Sequence, residues 1–158
     1  MIDVEVRGGE ELARISRALR QMDNPEVVKR FRKELREAAK PLVPEVRASI
    51  QAIPSRTGKG VLRAEMSKAT RIEVRTGGRD ANVSIRVDGR KMPSQKRSLQ
   101  AYMEGTKRPW RHPVFGNREV WVKQDPKPYF YRVVAPAAGP RSRAAVNRVL
   151  DSISRDIT

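Results

Sequence analysis

Few side chains in this sequence could do acid–base or metal chemistry, and they are scattered. His112 is the only histidine, and there is no cysteine. A hydrolytic triad needs a nucleophile, a base and a group that orients the base, and no G-x-S-x-G turn precedes a helical segment here. A metal centre on His112 would have only Glu119 and Asp125 close in sequence, short of the ligand set a bound ion requires. No D-x-D or H-N-H arrangement supports a metal-dependent nuclease. The stretch "PSRTGKG" (54–60) holds a Gly-Lys pair without the G-x-x-x-x-G-K-[ST] spacing of a phosphate-binding loop, so Gly58, Lys59 and Gly60 read as a flexible cationic loop. The sequence predicts no catalytic residue, no cofactor, no metal ligand and no enzymatic activity. His112, between Arg111 and Pro113, reads as an imidazole fixed in a loop by a backbone hydrogen bond.

Charge is the stronger signal. The 158 residues carry 34 Lys/Arg against 18 Asp/Glu, a formal charge of +16. Such a balance attracts polyanions, and nucleic acid and an acidic protein surface both remain open as the partner. The excess is uneven. Residues 1–53 hold 11 cations against 9 acids, residues 54–111 hold 15 against 5, and residues 112–158 hold 8 against 4. Hydrophobic residues make up 38% and aromatics 5%, so one domain spanning 1–158 must build its core from Val, Ile, Leu and Ala. The absence of cysteine fits a reducing compartment. "MIDVEV" lacks the features of a secretory signal, and no apolar run approaches the roughly 18 residues of a membrane span. The expectation is synthesis in a cytoplasm with no membrane partner.

The elements that must position these charges follow from periodicity. "IDVEV" alternates as a strand. Leu12, Ile15, Leu19 and Met22 mark an amphipathic helix. Asn24-Pro25-Glu26 reads as a cap and first turn. Beyond it Val27, Phe31, Leu35, Ala38, Leu42, Val46, Ile50 and Ile53 form one helical stripe, interrupted by Pro41 and Pro44. Interior proline removes a hydrogen bond and clashes with the preceding turn, so the stripe predicts a long helix bent near Pro41 or two helices meeting there. Residues 61–67 suit a short helix. "TRIEVRT" and "ANVSIRV", joined by "GGRD", predict a hairpin that pairs Ile72 and Val74 with Val83, Ile85 and Val87. "SLQAYMEGT" suits a short helix ended by Gly105. "REVWVKQ" suits a strand with Val120 and Val122 on one side and Trp121 on the other. Val146, Val149, Leu150, Ile153 and Ile157 mark a C-terminal helix. The predicted class is α+β: a small antiparallel sheet packed on a long N-terminal helix and a C-terminal helix.

No apolar period runs through "DGRKMPSQKRS", so residues 88–97 read as an exposed basic loop, flexible in the free subunit and either ordered on assembly against an acidic neighbour or DNA, or a solvated loop kept basic for solubility. Arg90, Lys91, Lys96 and Arg97 on that loop, with Trp110 and Arg111, are the candidate partner or DNA contacts. Trp110, Phe115 and Trp121 could stack on bases, but their proline-rich surroundings suit a loop packed on itself or on a neighbour.

The order of pieces carries a resemblance. A basic amphipathic helix containing "REAAKPLVPEVRASI" is followed by a Pro-x-x-Thr-Gly loop ("PSRTG"), "VLRAEM", a hairpin, a Glu-Gly-Thr step in "YMEGTKRPWRHPVFGNREVWV", and "KPYFYRVV" leading into the last helix. From about residue 10 to 157 this resembles the tail-completion or head–tail joining proteins of long-tailed bacteriophages, neck proteins often described as minor tail proteins, in the form found in phages of actinobacteria. The family runs straight into one helix after the aromatic segment, whereas Pro136 and Pro140 interrupt it here. The resemblance implies a virion protein assembled in the host cytoplasm. It would form a six-fold or twelve-fold ring between the head connector or stopper and the tail terminator or tail tube, with genomic DNA passing through. The neighbouring role of tail terminator, and a basic DNA-binding protein acting through residues 54–111, are the alternatives.

Overall fold

The computed structural model describes residues 2–6, 14, 17–19, 21, 23–55, 60–75, 82–107, 110–114 and 117–157. The fold is α+β, with helices packed on a small antiparallel sheet. Strands β1 (Ile2–Val6), β2 (Thr70–Arg75) and β3 (Asn82–Val87) form that sheet in the order β1-β3-β2. The register pairs Thr70 with Val87, Ile72 with Ile85 and Val74 with Val83, as the alternation predicts. Alternation places these residues on one face, and that face packs into the core, with Ile85 and Val87 buried. The expected "GGRD" turn falls outside the described residues.

Helix α1 (Pro25–Ala39) starts as its sequence dictates. The Asn24 side-chain oxygen accepts from the amides of Glu26 at 3.1 Å and Val27 at 3.3 Å, and Pro25 occupies the first position. Such a cap is worth about 1 kcal/mol. The chain turns at Lys40–Pro41, and α2 (Leu42–Gln51) continues. The two helices together make the predicted bend. Pro44 is accommodated because it lies in the first turn of α2, where amides have no intrahelical acceptor. Phe31, Leu35, Leu42, Val46, Ile50 and Ile53 are buried as predicted, but at the bend Ala39 is buried and Ala38 only half-buried. Of the helix predicted before Asn24, residues 14, 17–19 and 21 are helical, and Leu19 packs with Phe31, Leu35 and Val149. Leu12, Ile15 and Met22 lie outside the described residues.

Helix α3 (Val61–Ala69) begins after Gly60, whose φ of 57° a side chain would disfavour. Two arginines tie α3 to α2. Arg63 donates to the carbonyls of Gln51 and Ile53, both at 3.0 Å, satisfying the end of α2, and Arg47 donates to those of Ser67 and Thr70. Helix α4 (Leu99–Glu104) stops at Gly105, in the left-handed region at φ 88° as expected.

The C-terminal helix α5 (Tyr131–Ile157) departs from the periodicity reading, because it begins well before Val146 and continues through Pro136 and Pro140. Its start is fixed by a residue far away in sequence. Glu104 is 6% exposed, and its carboxylate accepts from the amides of Tyr129, Phe130 and Tyr131, each at 2.8 Å. A carboxylate there meets both the unbonded amides and the positive end of the helix dipole. Both prolines are exposed, so the side of the helix that loses hydrogen bonds faces water. Tyr129, Phe130 and Val134 anchor this end in the main core beside Ile50, Met66 and Ala101, and Tyr129–Phe130 and Phe130–Tyr131 make edge-on ring contacts. Further along, Val149 is buried and Leu150 is largely exposed. The side chains of Val146, Ile153 and Ile157 lie outside the described residues. No helix among the described residues is long and apolar enough to cross a membrane.

Leu35 and Ile50 are 3% and 0% exposed. Truncating either to alanine is expected to lower stability by about 2–5 kcal/mol, read from denaturant unfolding. Midpoints equal to the parent's would show that the stripe covers no core.

Candidate interaction surface

Residues 88–97 are a folded connector and not the flexible loop that the lack of periodicity predicts. Asp88 follows β3 and is 1% exposed. Its carboxylate accepts from the Arg90 amide at 3.0 Å and the Arg90 guanidinium at 3.1 and 3.3 Å, and Arg71 approaches it at 2.7 Å from β2. Gly89 is required by close approach: a Cβ there would lie 2.2 Å from the Arg97 carbonyl oxygen and 2.5 Å from the Gln100 side-chain nitrogen. Met92 is buried, and short 3-10 turns cover Gly89–Lys91 and Ser94–Lys96. Lys96 reaches the Glu65 carboxylate of α3 at 3.1 Å.

Two of the four cations expected to await an outside counter-charge are therefore paired within the chain: Arg90 with Asp88, which it shares with Arg71, and Lys96 with Glu65. Lys91 and Arg97 are exposed and form no ion pair among the described residues. Spacing alone could not reveal the pairing of Lys96, because Glu65 lies 31 residues away.

The same principle orders the outer face of the sheet. Glu73 approaches Arg86 at 2.7 Å and Arg75 at 3.1 Å. Burial raises the Glu73 carboxyl, but the Arg75 hydrogen bond and the charges of Arg86, Arg75 and Arg71 outweigh it and hold the group below its ordinary value. Asp88 is also held below the usual carboxylate value, chiefly by the hydrogen bond from Arg90; burial opposes this, while the Arg90 amide and the Arg71 and Arg90 charges add to it.

Trp110 and Arg111 belong to a different sheet. β4 (Trp110–Val114) and β5 (Asn117–Gln124) form a two-stranded antiparallel hairpin, with Trp110 opposite Gln124, Arg111 opposite Lys123, His112 opposite Val122 and Pro113 opposite Trp121. The loop expected around His112 is thus a strand, extended as far as the irregularity between Pro113 and Val114. Proline tolerates this position because a two-stranded sheet has only edge strands. The side chains of Trp110 and His112, including the expected imidazole hydrogen bond, lie outside the described residues, as does Phe115.

The two strands of the hairpin pack chiefly on each other. Along β5 only Val122 is half-buried. Val120 and Trp121 are 50% and 48% exposed, and the Trp121 indole donates to the Arg118 carbonyl at 2.7 Å. Among the described residues no three of His, Cys, Asp and Glu converge as a metal site would require. Comparison with protein-family models, curated proteins and solved structures found no match to this chain.

The depressed carboxyls make stability depend on pH. A carboxyl whose folded pKa lies below its unfolded value stabilises the fold above that unfolded value and loses the contribution as pH falls through the folded one. Stability is therefore expected to be flat above about pH 4 and to fall below it. Asp88→Asn should cost about 1–3 kcal/mol on the plateau and shrink the acid-dependent decline, so that the two proteins converge towards pH 2. Thermal melts across this range check it, and parallel curves would show that Asp88 carries no linkage.

Proposed function

We propose that this chain is a structural protein of a bacteriophage neck, present in the virion as a ring between the DNA-filled head connector and the tail tube, through which DNA passes. The observation that supports the reading is that several of the short motifs behind the resemblance, far apart in sequence, meet in one unit. "REAAKPLVPEVRASI" spans the end of α1, the bend and nearly all of α2, and "VLRAEM" opens α3. The glutamate of the Glu-Gly-Thr step holds the amides of "KPYFYRVV" through Glu104, and Ile50, Met66 and Phe130 from these segments share one core, with Met103 packed against it.

A cyclic ring joins two different patches on each subunit. Val61 on α3 and Tyr131 and Leu150 on α5 are large apolar side chains left exposed, suited to cover by a neighbour. The working parts of such a protein are contact surfaces, and no step of chemistry is assigned to it.

Native mass spectrometry of the purified protein is expected to show a closed ring of six or twelve copies, and Leu150→Asp should shift it towards monomer without lowering the melting temperature. A neck map of the intact particle should contain that ring between connector and tube. A strict monomer, with particles normal in its absence, would overturn the reading. The protein is also expected to leave plasmid DNA uncut with Mg²⁺ or Mn²⁺ present. Metal-dependent cleavage abolished by changing an Asp or Glu would make it a nuclease instead.

A further inference from the structure

The hairpin holds two cations that form no ion pair among the described residues. Its register sets Arg111 directly opposite Lys123 and Pro113 opposite Trp121, and strand alternation puts all four on one face. Like charges directly opposed across two strands destabilise their pairing. Neither Arg111 nor Lys123 has an ion pair or side-chain hydrogen bond among the described residues. Glu119 is four residues from Lys123, about 13 Å along an extended strand, with Trp121 between them.

Elsewhere the fold meets several of its clustered cations with carboxylates, Arg71 and Arg90 with Asp88, Arg75 and Arg86 with Glu73, Lys96 with Glu65, while Lys91 and Arg97 on the connector form no ion pair among the described residues. Here it leaves Arg111 and Lys123 exposed beside an exposed indole. The hairpin and its stems, residues 107–127, hold six Lys/Arg against two Asp/Glu. That net +4 over 21 residues is about twice the charge density of the whole chain.

We propose that the Arg111–Lys123–Trp121 face of this hairpin contacts the phosphodiester backbone of duplex DNA. A two-stranded ribbon is narrow enough for a major groove about 12 Å wide. The opposed cations would take neighbouring phosphates, relieving their mutual repulsion. The indole, steadied by the Arg118 carbonyl, would lie against sugar and base edges. Contacts of this kind fix position without reading sequence. The proposal rests on the neck reading only for the source of the duplex. Its test uses purified protein, so failure of ring assembly and failure of DNA contact are separate results.

The probe is a labelled, mixed-sequence 30-base-pair duplex, titrated by fluorescence anisotropy over a NaCl series. Three proteins are compared: the parent, Arg111→Gln with Lys123→Gln, and Lys91→Gln with Arg97→Gln, which removes the same charge from unpaired side chains of the connector. Loss of two phosphate contacts should flatten the slope of log affinity against log salt by about 1.8. It should also weaken low-salt binding at least tenfold, while the connector pair leaves the slope unchanged. The hairpin variant should melt no lower than the parent, since it removes a like-charge pair. Equal losses in both variants would mean diffuse attraction to a basic protein and overturn the proposal. Unchanged DNA binding, with loss of ring formation in the hairpin variant, would overturn it in favour of a protein-docking arm.

Discussion

The fold depends most on one carboxylate. Glu104, at the end of a six-residue helix, is buried and bonded to three successive amides 25 to 27 residues further on. Those amides belong to Tyr129, Phe130 and Tyr131, and the first two have no water to turn to. Without an acceptor each would be an orphaned donor in the core. With it, the aromatic segment is locked and α5 starts in register, so that Val134 enters the same core as Ile50 and Met66. Even the phenol of Tyr129 follows: burial, with the Glu104 charge beside it, pushes its ionisation far above the ordinary tyrosine range.

The chain is strongly basic, yet many of its arginines serve as internal connectors. Arg47 and Arg63 cross from helix to helix onto backbone carbonyls, Arg132 reaches Ser49, Arg141 reaches Glu45, and Arg71, Arg86 and Arg90 meet sheet carboxylates. Guanidinium suits this work because several fixed donors share one plane. Formal charge therefore overstates the number of cations offered to a partner, and the cations that remain uncompensated are informative by their location.

Local rules made much of the fold legible. The Asn24 cap, the break at Pro41, the Gly105 stop and the pairing of Ile72 with Ile85 each depend on neighbours or on period-two alternation, and each is found. What was illegible depends on distant partners. No spacing rule joins Glu104 to Tyr129, or Glu65 to Lys96, so the early start of α5 and the order of residues 88–97 were hidden. Pro113 argued against a strand and is tolerated because that strand has no neighbour on its other edge among the described residues. The candidate contacts divide on the same line. Arg90 and Lys96 were expected to be free and are paired, while Arg111 is exposed as expected. Its significance comes from Lys123, which only the register sets opposite it.

That β4 and β5 pack chiefly on each other among the described residues has a consequence for motion. A two-stranded ribbon with little buried surface is marginally stable in water, and local opening can occur without disturbing the body of a protein. Its amide protons should exchange with solvent through fraying of the ribbon alone, insensitive to mild denaturant, while those of β3 wait for global unfolding. The molecule then holds two grades of order, a rigid body clasped by Glu104 and a ribbon whose order is completed by whatever it meets.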